Sequence, residues 1–315
     1  MQATMKAMRI HEYGAPSVLR YEDAPRPTLN VGDVLIRVHA TSVNPFEWKM
    51  RAGYLKDWVP ISFPKILGWD VSGVVEEVAP GVTNCKVGDA VFALADTMRE
   101  GAYAEYVAVA ASKVAPKPKS LDHTHAGAVP LAALAAWQCL FDKANVKPGQ
   151  RVLVHAASGG VGSFEVQLAK WKGAYVLGTA SSANHDFLRS LGVDEAIDYN
   201  TTKFEDVAGQ VDVVLDNVGG DYEDRSCRIL SPGGTLVSLI SPTVVGTAAD
   251  NGFIGIFHGA ESNPQHLSEI GALIDAGKIT VIVENTFPLQ ELGRAHELSA
   301  RGHARGKIAV QVMEQ

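Results

Sequence analysis

Cysteine is scarce in this chain. Its 315 residues include three, Cys85, Cys139 and Cys227, far apart and odd in number. They form no C-x-x-C pair and no disulfide framework, so a reducing compartment, the cytoplasm, is the expectation. Long apolar runs are missing too. None reaches the ~18 residues that span a bilayer. The start, M-Q-A-T-M-K-A-M-R-I, holds no apolar core of signal-peptide length. No basic cluster stands out, and the formal net charge is −7. That argues against nucleic acid or an anionic membrane as the main partner. What is present is the balance of a soluble globular chain, 46% hydrophobic and 20% charged, long enough for two cores.

Two textures follow one another. Residues 1 to about 120 carry short β-type runs: V-L-I-R-V-H-A (34–40), S-G-V-V-E-E-V (72–78), A-V-F-A-L (90–94) and A-E-Y-V-A-V (104–109). V-G-D precedes two of them and reads as a tight turn into a strand. This half reads as a small antiparallel β barrel or sandwich. From about 125 the pattern alternates. An Ala-rich helical run leads through V-K-P-G-Q (146–150) to strand R-V-L-V-H (151–155), a glycine turn and a helix (162–171). Strands at 174–179, 195–199, 211–216 and 234–240 follow, with helices at 184–191 and near 221–230. Such β-α-β units build a parallel sheet wrapped by helices on both faces. The tail returns to a β texture, and G-K-I-A-V-Q-V (306–312) reads as a strand rejoining the first domain.

The glycine turn, A-A-S-G-G-V-G (156–162), lacks one glycine of the fingerprint G-x-G-x-x-G. Gly159 and Gly162 have the right spacing, and Ala157 stands where the first glycine would be. The turn lies between a strand and a helix, the context the fingerprint requires. A helix N-terminus offers free N–H groups and partial positive charge to a pyrophosphate. Ser158, Gly159, Gly160 and Val161 are therefore the expected phosphate contacts. Alanine suffices at 157 if its φ stays negative.

A carboxylate is missing further on. An Asp or Glu about 20 residues past the fingerprint would hold the ribose hydroxyls of NAD. This chain has G-T-A-S-S-A-N-H (178–185) there. Ser181 and Ser182 can hydrogen-bond a 2′-phosphate, with Tyr199 beside them and His185 or Arg189 as charge partners. The residues favour NADPH over NADH; capping of the following helix is a second role open to the serines.

At this point the chain resembles a known family, the medium-chain dehydrogenase/reductases, in particular their zinc-free quinone oxidoreductase group. The likeness runs through N-P-F-E-W-K-M-R-A-G-Y (44–54), I-L-G-W-D-V-S-G-V-V (66–75), G-A-Y-A-E-Y-V (101–107), P-L-A-A-L-A-A-W-Q (130–138), D-V-V-L-D-N-V-G-G (212–220) and G-H-A-R-G-K-I-A-V (302–310). The resemblance implies an α/β protein: a GroES-like β-barrel catalytic domain over 1–124 and 287–315, plus a Rossmann doubly wound parallel sheet over 125–286, with the active site in the cleft between them. It also implies a homodimer, paired through the strand near F-I-G-I-F (253–257).

Zinc-dependent relatives place Cys where this chain has Asn44, G-H-E where it has Gly68-Trp69-Asp70, and Cys near Leu131. Asn, Trp and Leu do not supply the thiolates and imidazole that zinc prefers, so no metal is expected. Without a Lewis acid the hydride acceptor must already be activated: a quinone or an α,β-unsaturated carbonyl. The resemblance puts Asn44, Lys49 and Tyr54 near the reacting oxygen as the catalytic set. It puts Asn217, the backbone of Leu239, Ile240 and Ser241, and Lys307 on the cofactor. The expected activity is thus an NADPH-dependent quinone or enone reductase. Reduction of an enoyl thioester, and a non-catalytic NADPH-binding role, are the alternatives.

Overall fold

A computed structural model describes residues 4–313 of the chain. The fold divides into two compact units. One takes the chain up to Leu131 and again from Glu261; the other spans Ala132–Ala260.

In the first unit the long strand Asp33–Val43 organises a seven-stranded sheet. It pairs antiparallel with Asp70–Val78, with Tyr106–Ala110 and with the late strand Lys307–Gln311. Nearly every residue of Asp33–Val43 is buried. Cover on both faces explains why its sequence does not alternate between apolar and polar. Both V-G-D turns need their glycine, since Gly32 and Gly88 have φ of +85° and +90°. Three strands, Leu19–Pro25, Thr4–Ile10 and Lys65–Ile66, form a second, smaller sheet. The first two of these carry no strong strand pattern in the sequence.

Register in this unit sets which side chains meet. Ile308 lies opposite Val43 and Ala309 opposite Ser42. Lys307 therefore enters the sheet beside Asn44, the residue that ends the long strand and begins helix Pro45–Arg51. Ser72 lies opposite Ala40, which brings Asp70 to the same end. Three residues far apart in sequence converge at one edge.

The expected return to the first domain at 287 comes earlier, at 261. Helix Pro264–Asp275 is the cause. Its last carboxylate, Asp275, accepts hydrogen bonds from the N–H groups of Lys119 and Ser120 and from the Ser120 hydroxyl. Gly271 of this helix packs against Pro118 and Phe92.

The second unit is a six-stranded parallel sheet. Its order is Glu195–Asp198, Tyr175–Ala180, Arg151–Val154, Val211–Asp216, Leu230–Ser238 and Ile254–Phe257. The chain starts in the middle, at Arg151–Val154, builds outward to one side and then to the other. Arg151–Val154 is thus the switch point, the place where open α/β sheets bind ligands at the carboxyl edge. The middles of the central strands are apolar, and Val152, Leu153, Val154, Val213, Val214 and Leu215 are all buried. Each contributes about 1.5–3 kcal/mol through burial. Ile254–Phe257 closes one edge, where the expected pairing strand lies. Among the described residues no helix is long and apolar enough to cross a membrane.

Candidate functional site

The glycine turn sits at the carboxyl end of Arg151–Val154, with helix Gly162–Lys172 running from it. The departure from the fingerprint is resolved in two ways. Ala157 does not take a positive φ; its neighbour Ala156 does, at +51°. Gly178, on the adjoining strand, leaves room for the Ala157 methyl, since a Cβ on Gly178 would stand 2.9 Å from it. Thr179 braces the turn by accepting from Ala156 N at its hydroxyl and from Ala157 N at its carbonyl. Gly162 is needed for packing: a Cβ there would collide with the carbonyl oxygen of Ala156 and lie 2.8 Å from Ala157 Cα. Helix and strand thus meet closely, and the first N–H groups of the helix face the carboxyl edge of the sheet. Within the turn Gly159 N donates to Ala156 O at 2.9 Å, and Ser163 N donates to Gly159 O at 3.0 Å. His155, at its base, is fully buried between Thr179 and Ser226, and burial pushes its pKa down to about 3.

On one side of the switch point the structure brings Ser181, Ser182 and Tyr199 together. Tyr199 N donates to Ala180 O, so its backbone lies beside the residue that precedes the serines, and Tyr199 is 43% exposed. The Ser181 hydroxyl accepts from Asn184. A carboxylate that sequence reading passed over is also present: Asp198 lies opposite Ala180 in the sheet and binds the Ser182 hydroxyl. Arg189 is paired with Asp186 at 2.7 Å.

On the other side lie Asn217 and Leu239–Ser241. Asp216, buried, organises both loops, and nothing in the motif reading singles it out. Its carboxylate accepts from Val218 N, Gly219 N and the Ser238 hydroxyl. Ser238 Oγ in turn accepts from Ile240 N and Ser241 N, and Leu239 N donates to Asp216 O. With those N–H groups engaged, the carbonyl oxygens of this loop are what it can offer a carboxamide.

The first unit holds a buried polar cluster at the end of Asp33–Val43. Asn44 N and Asn44 Nδ2 donate to the two oxygens of Glu47, at 2.8 and 3.0 Å. The N-x-x-E spacing, with Pro45 at the first helical position, is a visible helix-start signal. Asn44 Nδ2 also donates to Asp70 at 2.9 Å, and Asn44 Oδ1 accepts from Lys307. Asp70 further accepts from Ser42 Oγ, from Leu131 N at 2.6 Å, and lies 3.5 Å from Lys307 Nζ. Burial, and then the Asp70 charge, push the Glu47 pKa up to about 7.

This cluster corrects two expectations. Both amide hydrogens of Asn44 are taken by carboxylates, which leaves none to donate to a substrate oxygen. Lys307 is 3% exposed, with its ammonium on Asn44 and Asp70, so it belongs to this cluster and not to a phosphate or ribose. The positions of Asn44, Trp69 and Leu131 do not fit a zinc ion either. Trp69 is a core side chain, and Leu131 contributes only a backbone N–H. Among the described residues no group of three or more His, Cys, Asp or Glu side chains could hold a metal ion.

Lys49 lies in the last turn of helix Pro45–Arg51, away from Asn44 at its start, and Tyr54 lies in the turn that follows, its N–H on Lys49 O. Tyr54 is 72% exposed and meets Trp48 edge-on, and the Lys49 ammonium is 5.8 Å from the Trp48 ring. Trp48, Tyr54, Pro16, Arg51, Glu297 and Arg301 are among the residues lining a cavity of about 540 Å³. A chain of hydrogen bonds links its wall to the cluster. Arg51 Nε donates to His296 Nδ1, which fixes the His296 proton on Nε2, facing Tyr103 Oη; the Tyr103 hydroxyl donates to Ser42 O. Burial, aided by Arg51, keeps His296 neutral with a pKa of about 3.

An alcohol dehydrogenase GroES-like domain matches residues 30–119, and a zinc-binding dehydrogenase domain matches residues 191–310. The mouse mitochondrial NAD(P)H oxidoreductase RTN4IP1 is 36% identical, over 98% of this chain and 89% of its own length. The chain belongs to the quinone oxidoreductase group of the medium-chain dehydrogenase/reductases. A chloroplastic NADPH-dependent alkenal/one oxidoreductase of Arabidopsis thaliana is 34% identical, over 97% of this chain and 79% of that protein. The solved quinone oxidoreductase of Coxiella burnetii superposes with a TM-score of 0.93 at 36% identity, covering 99% of this chain and 100% of that one. As a member of this group the chain is an oxidoreductase that uses a nicotinamide cofactor, and its two units are the GroES-like and Rossmann-like domains.

Two outcomes are expected from the geometry. Lys307→Met should cost about 3–5 kcal/mol, because two buried carboxyl groups lose their cation. Glu47 titrates above its unfolded value, so its stabilising contribution is complete below about 4.5 and is lost as pH rises through 7. The K307M deficit should therefore grow from pH 5 to pH 8 in thermal melts; a deficit constant with pH would contradict the cluster. Ala156→Gly should raise stability by about 0.5 kcal/mol, since alanine at positive φ is strained; a lower melting temperature would show that the strain is absent.

Proposed function

We propose that this chain is a zinc-independent, NADPH-dependent reductase of quinones and α,β-unsaturated carbonyls. The observation that carries the cofactor choice is the clustering of Ser181, Ser182 and Tyr199, three uncharged hydrogen-bonding groups where a 2′-phosphate would lie. Asp198 is the carboxylate that opposes it. The observation that carries the acceptor class is the donor set around Asn44. An amide, a Trp and a Leu at the ligand positions supply no Lewis acid. The acceptor must then be electrophilic on its own, as quinones and enones are.

When bound, the reduced nicotinamide supplies the hydride. The chain's part is positioning and charge. The face bearing Trp48 and Tyr54 suits a flat, conjugated acceptor. Lys49 adds positive charge near the oxygen that gains electron density, and the Tyr54 hydroxyl or water delivers the proton that completes the two-electron reduction. Asn44 acts indirectly, by holding the start of this helix against the sheet. The names of the relatives fit this reading: one acts on alkenals and enones, another on quinones. A cytoplasmic setting rests on the free cysteines alone, since the mouse relative is named mitochondrial and the Arabidopsis relative chloroplastic.

NADPH oxidation should be measured against 1,4-benzoquinone, an alkyl vinyl ketone and crotonyl-CoA, with and without EDTA. The expected result is turnover of the first two, unchanged by EDTA, with NADPH bound more tightly than NADH. Turnover of crotonyl-CoA alone would favour the enoyl-thioester reading, and binding without turnover the non-catalytic one. Loss on chelation with rescue by zinc would overturn the metal-free mechanism, and equal affinities the role given to the serines.

A further inference from the structure

The first turn of the pyrophosphate helix carries an acidic side chain that no motif calls for. Glu165 is 1% exposed. It accepts a hydrogen bond from Asn217 Nδ2 at 2.6 Å, and the same nitrogen donates to His155 O at 3.0 Å. An Asn amide has two hydrogens, and both are engaged here. The group Asn217 has left is its Oδ1, an acceptor.

Strand order shows what Asn217 would meet. On the proposed function, the 2′-phosphate end of the cofactor meets the loops after Tyr175–Ala180 and Glu195–Asp198, which are neighbours in the sheet. The pyrophosphate lies over the switch strand Arg151–Val154. The remaining end of a dinucleotide, the nicotinamide riboside, then extends over the carboxyl end of Val211–Asp216, where Asn217 stands. That end presents ribose hydroxyl and carboxamide N–H donors, which need an acceptor.

We propose that Glu165 is a positioning residue that locks the Asn217 amide so that its oxygen faces the nicotinamide riboside. The proposal rests on the nicotinamide cofactor of the family and on the placement above. Without Glu165, one Asn217 hydrogen has no partner, and a flipped amide presents a donor to donors. Burial raises the Glu165 pKa to about 8, with Asp216 adding to the rise and Asn217 opposing it. Glutamine keeps the shape and an acceptor oxygen of this side chain and is its closest mimic.

The test compares binding of NADPH with binding of 2′,5′-ADP, which lacks the nicotinamide riboside, by calorimetric titration at pH 7. Glu165→Leu should weaken NADPH about tenfold, the worth of one mis-set hydrogen bond, and leave 2′,5′-ADP unchanged. Glu165→Gln should return most of the lost affinity. Asn217→Ala should show the Leu pattern, and E165L should add nothing to it. Because Asn217 is only partly buried, N217A keeps the test open if E165L does not fold. Equal weakening of both ligands, no rescue by Gln, or unchanged NADPH binding in N217A would overturn the proposal. A parent protein that binds NADH but not 2′,5′-ADP would overturn the NADPH reading instead; NADH then replaces NADPH and ADP replaces 2′,5′-ADP in the same comparison.

Discussion

The ammonium of Lys307 is the charge on which the first unit depends. It is buried, and its partners Asn44 and Asp70 come from two other parts of the chain. A buried charge is tolerated only when it is paired and hydrogen-bonded. That requirement fixes the register of the last strand against Asp33–Val43, because a shift by one residue would turn Lys307 to the other face. The same cluster holds the first residue before helix Pro45–Arg51. Through that helix it sets where Trp48, Lys49 and Tyr54 stand. A metal ion in zinc-dependent dehydrogenases would tie these positions by coordination; here a cation and two carboxyl groups tie them by hydrogen bonds.

The second unit solves a different problem. Its sheet must bring three short loops to one edge while every buried polar group keeps a partner. It does so by placing buried acids just behind the edge. Asp216 gathers the loops after two strands, and Glu165 connects the pyrophosphate helix to one of them. Thr179 does the same for the glycine turn. Hydrogen bonds to these buried groups hold the loops along this edge in place. Preorganisation of this kind lowers the ordering cost of binding.

Much of this was legible in the amino-acid order. The β-α-β units declare themselves through apolar runs broken by glycine, and the strands Ala90–Leu94 and Val211–Asp216 lie where the pattern puts them. The glycine turn and the serines after it are local signals, read within about 25 residues of one another. The rest depends on contacts between distant segments. Asn44 reads as a donor for substrate until Glu47, Asp70 and Lys307 are seen around it. Lys307 lies 263 residues from Asn44, and its role follows from sheet register alone. Asp198 escapes notice because it ends a different strand from the one that Ser182, its partner, follows. Glu165 escapes because an acid in the first turn of a helix is an ordinary helix feature. The early return of the chain at 261 is set by Asp275 on Lys119 and Ser120, again a contact across the sequence.

The central claim is that Lys307 and Asp70 stabilise the fold as a pair. A double-mutant cycle measures this directly: Lys307→Met, Asp70→Leu and the double variant, each unfolded in denaturant at pH 7. The account predicts coupling of about 2 kcal/mol or more, with the double variant more stable than the sum of the two single losses would allow. Additive losses would contradict it.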